Sequence, residues 1–133
     1  MKKYSYLLVF TLLAFACYND DDSTQNNEPS LFGEWSLINV SGGLIGVDQD
    51  FDSDLIIWDF NQDTMQLTIT NNNTDADFDG WPTGVYNYTV SSTDDGLTIV
   101  IENFSMTVVT LTSTSLTLDE GIAVDGFLFK FNR

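Results

Sequence analysis

The sequence predicts an all-β domain, a small antiparallel up-and-down barrel of about eight strands, with a β-sandwich as the alternative. Three observations lead there. Short runs of β-branched and aromatic residues recur along residues 31–133, bounded by clusters of Gly, Asn, Asp and Ser. Within several runs apolar and polar residues alternate, as in a strand with one face in a core and the other in water. No long stretch repeats apolar residues at helical spacing.

Before the domain comes a different kind of chain. Residues 1–16 carry Lys2 and Lys3, an apolar run from Leu7 to Ala16, and small residues at its end. The run is far shorter than the roughly 20 residues that span a bilayer, and its layout is that of an export signal. Cys17 follows at once and is the only cysteine, so an internal disulfide is excluded. This arrangement resembles a bacterial lipoprotein signal, and the resemblance implies that Cys17 is the lipid attachment site. A plain secreted protein with an incidental cysteine is the alternative. Residues 17–30 then read as a lipidated cysteine and an acidic, disordered tether without apolar periodicity. Fully stretched, the segment after the cysteine reaches at most about 45 Å. In lipoproteins of this kind, acidic residues such as Asp20, Asp21 and Asp22 imply export to the outer face; a solubilising spacer explains them equally well.

The domain spans 31–133. Its strands read in order as 34–40, 55–60, 65–70, 85–90, 97–102, 106–112, 115–119 and 127–132. Ile56, Trp58 and Phe60 share one face, as do Met65, Leu67 and Ile69, then Tyr86, Tyr88 and Val90, then Phe127, Phe129 and Phe131. Residues 61–64 and 92–96 are short enough for hairpins. Closing such a meander into a barrel removes exposed sheet edges. Strand parity then sends loops 41–54, 71–84, 103–105 and 120–126 to the end away from the tether. The two longest and most acidic of these should meet there.

Charge and composition narrow the chemistry. The chain carries −16, and removing residues 1–16, with two lysines and no acids, takes it to −18. Such a surface should not bind nucleic acid, whose affinity comes from cations meeting phosphates. Anionic head groups should repel it, leaving the lipid as the only hold on a membrane. There is no histidine, and the single cysteine is Cys17, directly after the leader, so Cys–His and Ser–His–Asp nucleophile systems and His/Cys zinc sites are absent. No Gly-rich phosphate loop is present, and carboxylate pairs are expected by chance among 20 acidic residues. The expectation is a non-enzymatic, monomeric protein.

Gly33-Glu34-Trp35 opens the first strand, Arg133 ends the last, a "GVYNY" strand occupies 84–88, and the final strand is rich in Phe. Over residues 31–133 the chain resembles short bacterial lipocalin-like lipoproteins. The resemblance implies that Trp35 plugs the closed end of the barrel after Gly33 and that Arg133 covers its ring, a favourable cation–π contact. A short helical turn is expected at residues 29–33. The resemblance also implies an outer-membrane, surface-exposed lipoprotein that binds a small apolar or amphipathic molecule. Apolar residues in the distal loops, Leu44, Phe51 and Trp81 with Ile45 and Phe78, are the candidate ligand contacts. The alternative is that these loops fold down onto their own barrel. A structural or adhesive envelope module is the second functional reading.

That second reading draws on residues 75–80, "DADFDG". Asp75, Asp77 and Asp79 with Gly80 match the opening of a calcium loop. The twelfth position holds Tyr86 instead of the required glutamate, and strands flank the loop, so it is not an EF-hand. A solvated turn explains it as well. No cofactor is expected beyond weak Ca²⁺, at the ~10⁻⁴–10⁻³ M of extracellular modules, with help from Asp48 to Asp54.

Overall fold

The computed structural model describes residues 28–75 and 80–133. Cys17, the leader and most of the tether therefore lie outside the described residues, as do Asp77, Phe78 and Asp79. The fold is all-β and antiparallel. Its strands are β1 (Gly33–Gly42), β2 (Val47–Asp50), β3 (Ile56–Asn61), β4 (Gln66–Asn71), β5 (Gly84–Thr93), β6 (Gly96–Ile101), β7 (Phe104–Leu111), β8 (Ser115–Asp119) and β9 (Phe127–Asn132). One 3₁₀ turn, Ile122–Val124, precedes β9. From β3 to β9 each strand pairs with the next, and β9 pairs back onto β1, closing an up-and-down barrel. Among the described residues no helix is long and apolar enough to cross a membrane.

Nine strands build eight staves. The segment 41–54, expected to be one loop, instead turns at Gly43–Gly46 and returns as β2, with Asn39 opposite Asp50 and Gly42 opposite Val47. Gly42, Gly43 and Gly46 all have positive φ, which a glycine adopts without steric cost. The returning strand has no apolar alternation to announce it. Its support is polar: Asn39 Nδ2 donates to both Asp48 Oδ1 and Asp50 Oδ1 at 2.9 Å. β3 then resumes on the same edge of β1, with Ser36 opposite Ile57. Leu37 and Ile38 thus face the six residues 51–56, a wide bulge between β2 and β3 whose Phe51 and Leu55 pack against the core. The Asp54 N–H donates to Ser36 Oγ there, and the Phe51 N–H to the Ile38 carbonyl. Residues 28–32 form no helical turn, contrary to expectation. Trp35 holds this stretch by a different bond, described below.

The alternation read from the sequence is the alternation of the walls. Ile56, Trp58 and Phe60 are buried, as are Leu67 and Ile69. Phe129 and Phe131 point inward from β9. These meet Leu37, Ile99, Ile101, Met106, Leu116 and Leu118 in one continuous cluster. Rings fill much of the space. Trp58 lies with its centroid 5.1 Å from Phe131 and 5.8 Å from Phe129, and Phe60 meets Tyr88 edge-on at 5.3 Å. A small barrel can be filled by its own side chains, and the body of this one is.

Candidate functional site

The two ends of the barrel differ. At the end where the chain enters, Trp35 is fully buried. Its indole N–H donates to the Leu31 carbonyl at 2.7 Å, drawing the preceding segment across the opening. The Arg133 guanidinium lies over the ring, 3.6 Å from its centroid. Arg133 also donates to the Ser30 carbonyl at 2.5 Å and to the Phe32 carbonyl at 3.4 Å. Burial draws its pKa below the ordinary arginine value. Gly33 has φ 101°, and a Cβ there would lie 3.9 Å from Arg133 Nη1. Gly33, Trp35 and Arg133 are therefore one assembly that seals this end.

The opposite end is a mouth. Cross-strand pairing decides which residues line it. Tyr86 stands opposite buried Leu67, and Phe104 opposite buried Ile101, so both rings sit on the inward face near the rim. Loop residues Gly80 and Trp81 come in from above. A Cβ at Gly80 would lie 3.3 Å from Leu37, and the Trp81 ring packs edge-on to Trp58 at 5.8 Å. This loop thus folds down onto its own barrel, as the plainer reading of the sequence allowed. Trp81 is half-buried, though, and so is Tyr86. Phe104 is 50% exposed. Together with Pro82 they line an open cleft of about 420 Å³. Trp81 meets Tyr86 at 5.3 Å and 78°, and Phe104 at 5.1 Å and 74°.

Hydrogen bonds fix this arrangement. The Tyr86 hydroxyl donates to the Pro82 carbonyl at 2.8 Å. Asn71 Nδ2 donates to the Trp81 carbonyl, and the Thr83 hydroxyl bridges the Asn71 backbone. One level down, the Tyr88 hydroxyl donates to the Asn61 carbonyl, and desolvation, aided by the Asp59 charge, raises its pKa. The Trp58 indole N–H is buried and has no acceptor among the described residues.

The three candidate ligand contacts fall in three places. Leu44 sits with Ile45 at the tip of the β1–β2 hairpin, 84% and 89% exposed. Phe51 lies in the bulge, half-buried against the core. Only Trp81 reaches the mouth. Sequence reasoning assigned Tyr86 to the core and left Phe104 in a loop. The signal for Phe104 was the alternation Phe104, Met106, Val108, which extends β7 by two residues.

The acidic loops do approach one another. Asp50, Asp52, Asn73 and Asp75 line one cleft of about 200 Å³. Asp48 and Asp50 are already engaged by Asn39. Among the described residues no group of three or more Asp, Glu, His or Cys is placed to hold a metal ion. A further cleft of about 370 Å³ lies on the outer wall beside the bulge, between Glu34, Ser36, Asp54 and Arg133. Ser53, Ile57 and Asn132 complete its mixed lining. Comparison of the chain with protein-family models, with curated proteins and with solved structures finds no match in any of the three.

Proposed function

We propose that this chain is a non-catalytic, monomeric envelope module that binds a small apolar or amphipathic molecule at the barrel mouth. One observation carries the reading. Three inward-facing rings, Trp81, Tyr86 and Phe104, remain partly open around a cleft while the barrel below them is packed. A ligand pocket of this size, apolar and held by a few polar anchors, is of the ordinary kind. The ligand lies in the mouth and does not enter the barrel. Lipid attachment at Cys17 belongs to the same proposal. Residues 28–32 lie at the sealed end, so an anchored domain would turn its mouth away from the membrane.

The test is titration of the full mature chain with decyl maltoside below its micellar concentration, followed by tryptophan fluorescence. Saturable binding by the parent and its weakening in Trp81→Ala support the reading. Equal binding by both, or none by either, sinks it.

The second reading, an adhesive module assisted by calcium, rests on the shared cleft of Asp50, Asp52 and Asp75. Calcium at a few millimolar should then raise the melting temperature more than magnesium does, since magnesium demands tighter octahedral geometry. Equal shifts from both ions would reduce the effect to screening of surface charge.

A further inference from the structure

The geometry of the mouth points to a ligand class. We infer that the Trp81–Tyr86–Phe104 cleft takes a quaternary or fully methylated ammonium group, carried on a short apolar body. The inference rests on the mouth being the binding place and adds the chemistry of the head group.

Three features lead to it. First, the lining is three aromatic rings in edge-on contact, set nearly at right angles: Trp81 stands at 78° to Tyr86 and 74° to Phe104. Ring faces carry the negative part of the aromatic quadrupole and attract a cation placed over them. Perpendicular walls let one compact, rounded cation meet more than one ring.

Second, among the described residues the lining contains no charged side chain. The Tyr86 hydroxyl donates a hydrogen bond to the Pro82 carbonyl, and the Trp81 carbonyl accepts one from Asn71. A primary ammonium keeps its hydration unless acceptors replace the water, and this cleft offers few. A methylated ammonium has no N–H to satisfy and is content with ring faces and van der Waals contact. Sugars or carboxylates, by contrast, need a ring of donors that the described lining residues do not supply.

Third, the field has the right sign. The chain carries −16. Its only described cations are Lys130 and Arg133, and Arg133 is committed to Trp35 at the sealed end. Glu102 sits on the turn that delivers Phe104, its carboxylate accepting from the Asn87 N–H at 2.8 Å. A cation approaching the mouth is drawn in, and an anion is turned away. The sealed end already contains the same contact, with a guanidinium over an indole.

The experiment compares three ligands with the same ten-carbon chain: decyltrimethylammonium, decyl maltoside and decyl sulfate. Each is titrated below its micellar concentration into the mature chain, at moderate and at high salt. Decyltrimethylammonium should bind about 3- to 30-fold more tightly than the maltoside, and the preference should survive high salt. In Trp81→Leu, and in Phe104→Leu if the first variant does not fold, the preference should shrink towards unity while the maltoside still binds. Tyr86→Phe, which keeps the ring, should retain it. Equal affinity for all three head groups overturns the inference and leaves the mouth as an apolar site. A preference that vanishes with salt, or persists unchanged without the Trp81 ring, overturns it by reducing it to diffuse charge. Binding of none of the three overturns both the inference and the proposed function.

Discussion

Trp35 and Trp81 stand at opposite ends of one barrel and lead opposite lives. Trp35 has every group engaged: its N–H on Leu31, its face under Arg133, its edges in the core. Trp81 meets Trp58, Tyr86 and Phe104 edge-on and stays partly open to the cleft that it lines with the last two. Both sites place aromatic area over the end of the same apolar column. One is closed by the protein's own cation and its incoming chain. The other lacks such a partner among the described residues. The lesson is that burial alone does not separate a plug from a platform; what separates them is whether the ring's polar and π surfaces already have partners.

The largest expected effect is on stability. Trp35→Ala should cost about 3–5 kcal/mol, as large-to-small changes at fully buried aromatics do. Trp81→Ala should cost no more than about 2 kcal/mol, because the ring is only half-buried and its loss leaves an opening to solvent instead of a sealed void. Urea unfolding of the two variants checks this directly. Comparable costs would mean that the mouth is as much a plug as the sealed end.

A subtler pair sharpens the comparison within the core. Replacing Trp35 by Phe leaves the Leu31 carbonyl without its donor and the guanidinium over a smaller ring. Replacing Trp58 by Phe removes an indole N–H that has no acceptor among the described residues. A buried unsatisfied group costs roughly 1–3 kcal/mol. Trp35→Phe should therefore be the more destabilising by about that amount, although both changes delete the same atoms. If Trp58→Phe proves the more costly, an acceptor for its N–H exists that the described residues do not include.

The smallest effect concerns pH. Glu120, on the loop before β9, has its pKa raised by desolvation, with a backbone hydrogen bond from Phe127 pulling the other way. A folded-state pKa above the unfolded value means that the folded chain holds this proton more tightly. The group's contribution to stability is thus present below the ordinary glutamate value of 4.5 and is lost as pH rises through the raised folded value. Glu120→Gln should flatten that part of the stability profile and raise the melting temperature near neutrality. A variant whose profile keeps the parent's slope across this window would exclude Glu120 as its source.

Much of the barrel was legible because its signal is local. A strand with one face in the core repeats with period two, and Ile56–Trp58–Phe60 or Phe127–Phe129–Phe131 display that in three residues. β2 escaped because nothing in it is buried in alternation. Val47–Asp50 is held by backbone pairing and by Asn39, and Asn39 is eight residues away from the nearest of them. The mouth escaped for a related reason. Trp81, Tyr86 and Phe104 come from a loop and two strands, and only strand register reveals that they converge. Loop parity did bring the acidic segments towards one end, and Asp50, Asp52 and Asp75 share a cleft there. Whether side chains in such a cleft converge on one point depends on rotamers and loop paths that no periodicity encodes.

The chain has three tryptophans, hence three indole N–H signals in a ¹⁵N-correlated spectrum, one each from the sealed end, the core and the mouth. Titrating an amphiphile while watching those signals tests the central claim, that one end is closed and the other receives. The account predicts that the Trp81 signal moves most, that Trp58 beneath it follows weakly, and that Trp35 stays where it is. Movement of Trp35 equal to that of Trp81, or of Trp58 ahead of both, would contradict it, because the ligand would then be entering the barrel or binding at the wrong end.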